Sequence, residues 1–249
     1  MNIRQAIDKY DRATSQYIVA YLDVLGVVSR MNTDRGVQML SLNKLYNLYK
    51  SVMELTEKDG GIKNLEGIEF QIFSDNIIIS KKLSSTSMDR IQDIKSVLNC
   101  VSHFQISSVG SGVGWLVRGG ITIGELFIDN TMVWGSALLR AYELENNIAI
   151  YPRVAIDASI VSELQKNQET AEYLLLDYDG IYFLNYMSIW HFAGEIVKNG
   201  FEKIKDEVRK ADGSYTDRIY QKLVWHMNYI NCELEKKKER KDKKFRLSI

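Results

Sequence analysis

The chain has 249 residues, 45% of them hydrophobic and 26% charged, with 32 basic side chains against 32 acidic ones. Zero net charge gives no chain-wide attraction to nucleic acid or to an anionic membrane, and no apolar run reaches the roughly 18 residues that a membrane span needs. Two cysteines, Cys100 and Cys232, form neither a disulfide framework nor a metal-ligand spacing, so the expectation is a cytoplasmic protein with neither nucleic-acid nor membrane partners.

The segment MNIRQAIDKYDRATSQ carries no signal-peptide hydrophobic stretch. It is followed by YIVAYLDVLGVVS, residues 17–29, an apolar run rich in β-branched and aromatic residues. That composition predicts a buried strand, yet the run holds one acid, Asp23, with Gly26 three residues on. Next, Val37, Leu40, Leu45, Leu48 and Val52 fall near helical spacing, and the glycines at 60–61 end that helix.

IEFQIFSDNIIIS, residues 68–80, repeats the oddity: an apolar strand run interrupted by Ser74-Asp75-Asn76. A hairpin with strands near 69–73 and 77–80 accounts for the triplet by itself, since Asp and Asn bond locally in turns. The alternative couples it to Asp23. A buried lone carboxylate is costly unless it is paired or holds a metal, and two on adjacent strands repel unless a hard cation bridges them.

A second helix is predicted after a Ser or Thr cap near 86, with Asp89 in its first turn. GWLVRGGITIGELFI reads as strand with a bend or hairpin near Gly124, and WGSALLRAYELENN as helix. A strand at 153–157 and a short helix follow. Two strands then flank an Asp177–Gly180 turn, in which Asp177 and Asp179 serve only the turn. Beyond Met187 the pattern is helical and ends in a charged tail. Gly110–Gly114 is glycine-rich but precedes a strand and lacks the Gly-Lys-Ser/Thr of a phosphate loop. His103, His191 and His226 are isolated and read as core or surface residues. The order strand–helix–hairpin–helix–strand implies an α+β, ferredoxin-like domain over 15–186, with a helical extension over 187–249. In that topology the first strand and the hairpin are neighbours, so Asp23 and Asp75 meet at one edge of the sheet.

Four blocks in order resemble class III adenylate/guanylate cyclases: YLDVLGVVS, QIFSDNIII, VRGGITIGELF and VWGSALLRAYELE. The resemblance implies a palm-like catalytic domain that converts a nucleoside triphosphate to a 3′,5′-cyclic monophosphate and pyrophosphate. It implies a homodimer whose site is completed across the interface. It also implies two Mg²⁺ or Mn²⁺ ions held by Asp23, the backbone of Val24, and Asp75, with the backbone of residues 25–29 near the phosphates. The base-reading positions fall on Gln71 and Met132. Where the family has a ribose-positioning asparagine and a transition-state arginine, this chain has Leu139 and Glu143. Arg140 and Arg118 are the candidate phosphate or transition-state cations. Each has a plain alternative, a surface arginine for Arg140 and a structural ion pair for Arg118. Preserved metal aspartates with altered base readers are similar to the pyrimidine cyclases of bacterial Pycsar antiphage systems, which act with a separate cyclic-nucleotide effector. Two other readings stand beside this one: a catalytically degenerate cyclase-fold binding module, and a polymerase-like palm, which usually pairs two acids where Ser74-Asp75-Asn76 has one.

Overall fold

The computed structural model describes residues 12–27, 31–57, 66–110, 114–166, 168–189, 193–210 and 217–246. The glycine stop after the first helix, residues 28–30, the loop at 111–113, His191 and the side chains of the charged tail lie outside them.

Strand β1 (Ser15–Val24) leads to helix α1 (Arg35–Glu57), then the hairpin β2 (Ile68–Phe73) and β3 (Asn76–Lys82), helix α2 (Ser87–Gly110) and strand β4 (Val117–Ile128). These strands form a sheet in the order β2-β3-β1-β4, every neighbouring pair antiparallel. That is the ferredoxin-like βαββαβ arrangement. The expected α+β architecture is therefore present. The hairpin turn is as short as a turn can be: Phe73 pairs with Asn76, and Ser74 takes a left-handed φ of 55°. α2 starts where the sequence places it, with Asp89 N–H donating to Thr86 Oγ1 at 3.3 Å and Thr86 Oγ1 donating back to Asp89 at 2.5 Å.

β1 owes its long buried run to its central position. Alternate residues point to opposite faces. Ile18, Ala20, Leu22 and Val24 meet Leu48 and Val52 of α1 and Val97, Val101 and Phe104 of α2 in the main core. Tyr17, Val19 and Tyr21 face the other way, against Ala137 and Ala141. Those alanines belong to α3 (Ser136–Glu143), which follows the short strand β5 (Val133–Trp134). Asp23 shares their face, because it is two residues beyond Tyr21.

The bend or hairpin expected near Gly124 is absent. β4 runs straight through, with Gly124 paired to Tyr17. The glycines of this strand serve a close approach instead: a Cβ at Gly120 would collide with Leu144 and the Ala141 carbonyl. α3 thus packs almost directly on the β4 backbone.

α3 widens into a π turn, Leu144–Ile148. Strand β6 (Val154–Ile156) follows, parallel to β4, then helices α4 (Ala158–Leu164) and α5 (Gln168–Ala171), and strands β7 (Leu174–Leu176) and β8 (Tyr182–Leu184). Here the turn acids exceed their predicted role. Arg153, whose side chain is fully buried, pairs with Asp177 and Asp179, and Trp225 Nε1 donates to Asp177 at 2.8 Å. A buried guanidinium needs such partners, and these acids tie the hairpin to the C-terminal segment.

That segment comprises α6 (Tyr186–Ile189), α7 (Ala193–Lys210) and α8 (Asp217–Arg246). Val197, Phe201, Leu223 and Tyr229 share an apolar cluster with Val109 of α2, Leu116 and Phe183. Among the described residues, no helix is long and apolar enough to cross a membrane.

Candidate functional site

Asp23 ends the buried part of β1, and the register fixes its neighbours. It pairs with Asn76 on one side and Arg118 on the other. Residues opposed in an antiparallel pair point to the same face, so sheet geometry alone brings these three side chains together. Asp75 lies one residue before Asn76, in the two-residue turn. Val24 N–H donates to the Asp75 carbonyl at 3.0 Å, which stitches the turn to the end of β1. Asp23, Val24, Asp75, Asn76 and Arg118 then line one cleft of about 350 Å³, together with Tyr21, Gly26, Tyr142, Glu145 and Asn146. The two aspartates predicted to meet do line one site.

Glu145 escaped sequence reasoning. It stands in the π turn, only 3% exposed. Arg118 Nε donates to Asp23 Oδ2 at 3.0 Å and lies 2.7 Å from Glu145 Oε1. Nε carries one proton, and that proton is directed at Asp23. The Glu145 oxygen is consequently sheltered with no hydrogen bond.

The cleft lining holds three carboxylates, Asp23, Asp75 and Glu145, and one guanidinium, Arg118. Burial pushes the Asp23 carboxyl up from its ordinary range; Asp75 adds to this and Arg118 opposes it. Burial likewise raises Glu145, again against the pull of Arg118. The Tyr21 hydroxyl is pushed to about 12, first by burial and then by Glu145, Asp23 and Asp75. Burial raises the Tyr49 hydroxyl, and Asp75 and Asp23 add to that.

This donor set suits a hard divalent cation. It consists of carboxylate oxygens, one of them lacking any donor. Among the described residues, no three His, Cys, Asp or Glu side chains converge as the ligands of one ion. An ion held by Asp23 and Asp75 would complete its shell from water or phosphate oxygens, as Mg²⁺ habitually does.

Gln71, Met132, Leu139 and Arg140 lie apart from the cleft lining. Gln71 pairs with Ile78 and so shares the Asp23 face, two strands away from Tyr21. Its Nε2 donates to the Asp129 carbonyl at 2.9 Å. Met132, 48% exposed, anchors its N–H on Asp129 Oδ1 at 3.0 Å. The two predicted base readers therefore gather at one turn. Arg140 is committed elsewhere, with Nε donating to Asp157 at 2.7 Å and Nη1 to Glu143 at 3.4 Å. Leu139 is 65% exposed. Arg118 is held in an ion pair, the plain alternative for it, but its partner is the candidate metal ligand itself.

No family model matches the chain, and no curated protein sequence does. Solved structures do. The guanylyl cyclase domain of the RhoGC fusion protein from the aquatic fungus Blastocladiella emersonii is 14% identical, over 70% of this chain and 98% of that one, with a TM-score of 0.47. A class III adenylyl cyclase-like ATP-binding protein from Pseudomonas aeruginosa is 13% identical, over 82% of this chain and 46% of that one, also at 0.47. Likeness at this level leaves the chemistry to be argued from the chain's own residues.

Proposed function

We propose that the chain is a metal-dependent nucleotide cyclase that converts a nucleoside triphosphate to its 3′,5′-cyclic monophosphate and pyrophosphate. The observation that carries this reading is the pair Asp23 and Asp75, one acid from each of two apolar strand runs, lining a single cleft. In the reaction the ribose 3′-oxygen bonds to the α-phosphorus, the bond from that phosphorus to the α,β-bridging oxygen breaks, and the hydroxyl proton passes to solvent. Mg²⁺ or Mn²⁺, two ions in the full scheme, would acidify the hydroxyl and screen the departing pyrophosphate. Asp23 and Asp75, with the Val24 backbone, would hold them. Arg118 orients Asp23, and Tyr21 and Tyr142, edge to face at 5.5 Å, wall the cleft.

The working unit in this proposal is a homodimer. Met132, Trp134 and Leu139 are exposed apolar residues along the segment that would face the partner's Asp23, and Gln71 and Met132 would read the base there. A glutamine amide offers a donor and an acceptor, which suits a pyrimidine edge. UTP or CTP is the favoured substrate, and an antiphage second messenger sensed by a separate effector is the corresponding role.

A second reading has one specific observation behind it. Arg118 already donates to Asp23, and the helix cation Arg140 is spent on Asp157 and Glu143. A cyclase-fold protein that binds a nucleotide or a protein without turnover would look the same.

The test incubates the full chain with each of the four nucleoside triphosphates and Mn²⁺ and resolves the products. A cyclic monophosphate and pyrophosphate in equal amounts, lost in Asp23→Asn and in Asp75→Asn, is the expected result. Nucleotide binding without product moves the assignment to the second reading, and the absence of both refutes it.

A further inference from the structure

We infer that Glu145 is a positioning residue that receives Arg118 when a cation takes Asp23. This rests on the reading of Asp23 as a metal ligand and adds a residue that the resemblance to cyclases does not assign.

The local backbone fixes where Glu145 stands. Arg118 and Gly120 lie on one face of β4, two residues apart. Gly120 has no side chain, and a Cβ there would come within 3.1 Å of the Glu145 backbone nitrogen. The π turn closes with Ala149 N–H donating to the Leu144 carbonyl at 2.8 Å. Glu145 is thereby set against Arg118, its side chain only 4% exposed, and both line the cleft beside Asp23.

The contact made there is incomplete. Arg118 Nε lies 2.7 Å from Glu145 Oε1 and 3.0 Å from Asp23 Oδ2, but its one proton goes to Asp23. Glu145 Oε1 is left buried with no hydrogen bond. A buried acceptor without a donor is costly, and in a folded protein it needs a reason. Exchange of partners supplies one. A cation at Asp23 competes for the carboxylate that Arg118 now uses. Without a second acceptor the guanidinium would be left unpaired beside a like charge, and would oppose the cation. Glu145 removes that penalty. Its oxygen is already within hydrogen-bond distance of the same nitrogen, so the N–H changes acceptor with little movement of the side chain. The bond to Asp23 is lost, the bond to Glu145 forms, and the proton stays on Nε throughout. Arg118 then keeps one carboxylate partner whether Asp23 is free or loaded.

The experiment reads the arginine directly. The Nε–Hε resonance of Arg118, assigned by its absence in Arg118→Lys, is followed by NMR in the full chain as Mg²⁺ is added. In the wild type it should shift as Mg²⁺ binds and stay protected from exchange with water, because the N–H passes from one carboxylate to another. In Glu145→Met, Mg²⁺ should expose it to exchange. Calorimetry with Mn²⁺ gives the energetic counterpart. Glu145→Met should bind Mn²⁺ at least about tenfold more weakly than wild type, the worth of one charge-assisted hydrogen bond. In an Arg118→Met background there is no N–H to transfer, and adding Glu145→Met should change Mn²⁺ affinity by less than about threefold. A wild-type resonance that stays in place while Mg²⁺ binds, or that is lost to water exchange, overturns the inference and leaves the cyclase reading standing. An equal loss of Mn²⁺ affinity with and without Arg118 overturns it too, since Glu145 would then act only as a charge at a distance. A wild type that binds neither Mg²⁺ nor Mn²⁺ removes the metal reading and this inference together.

Discussion

Acidification should detach the C-terminal helices by way of His226. The imidazole is almost fully buried in α8, 3.0 Å from the Tyr186 hydroxyl and among the rings of Phe201, Trp225 and Tyr229. Burial pushes it from 6.5 down to about 4, against the opposing pull of the Pro152 carbonyl. The unfolded chain therefore takes up a proton through the ordinary histidine range while the folded chain refuses it. Stability is unaffected above about pH 6.5 and is lost as pH falls from there toward 4. One pH unit of displacement is worth about 1.4 kcal/mol, so lowering the pH from about 7.5 to about 4.5 should cost roughly 2 to 3 kcal/mol through this residue. Other groups titrate as well, so the measurement is a difference. Urea unfolding is followed across that range for wild type and for His226→Gln, whose amide can still meet the Tyr186 hydroxyl but takes no proton. The variant should start less stable and lose less, and the two curves should converge by about that amount. Parallel curves would refute the assignment of a buried neutral imidazole.

Three further outcomes are expected. Gly120→Ala should lower stability by about 1 to 3 kcal/mol in urea unfolding, since the new methyl meets Leu144 and the Ala141 carbonyl; Mn²⁺ binding should weaken with it as the π turn is displaced. Saturating Mn²⁺ at about 100 times its Kd should stabilise the wild type by about 2.7 kcal/mol, and Asp75→Asn should lose most of that shift in thermal melts. Gln71→Glu replaces the donor that meets the Asp129 carbonyl with a repelling oxygen, and should change the ratio of kcat/KM between nucleotides. Rates that fall together at an unchanged ratio would show that the base is read elsewhere.

Asp23 and Asp75 were legible in the sequence because each is a single acid inside an apolar strand run, and the ferredoxin-like order made those runs neighbours. Glu145 was not. Its burial depends on a π turn that shifts the helical phase after Glu143, and a 3.6-residue periodicity contains no sign of that change. Gly124 suggested a bend because glycine interrupts strands; the contact that requires a small residue there, Ala137 of α3, is made by a helix later in the chain. Asp177 and Asp179 fit their turn so well that nothing local pointed to Arg153.

The placement of β1 also sets a timetable for synthesis. Its partners on one side arrive within the hairpin, with Asp23 meeting Asn76. On the other side Ser15 must wait for Leu126. A ribosome adding roughly 5 to 20 residues each second leaves several seconds in which residues 18–22, an apolar β-branched run, present an open edge. Such an edge is a template for pairing with another chain. The strand that carries Asp23 is thus open to mispairing during translation until β4 closes that edge.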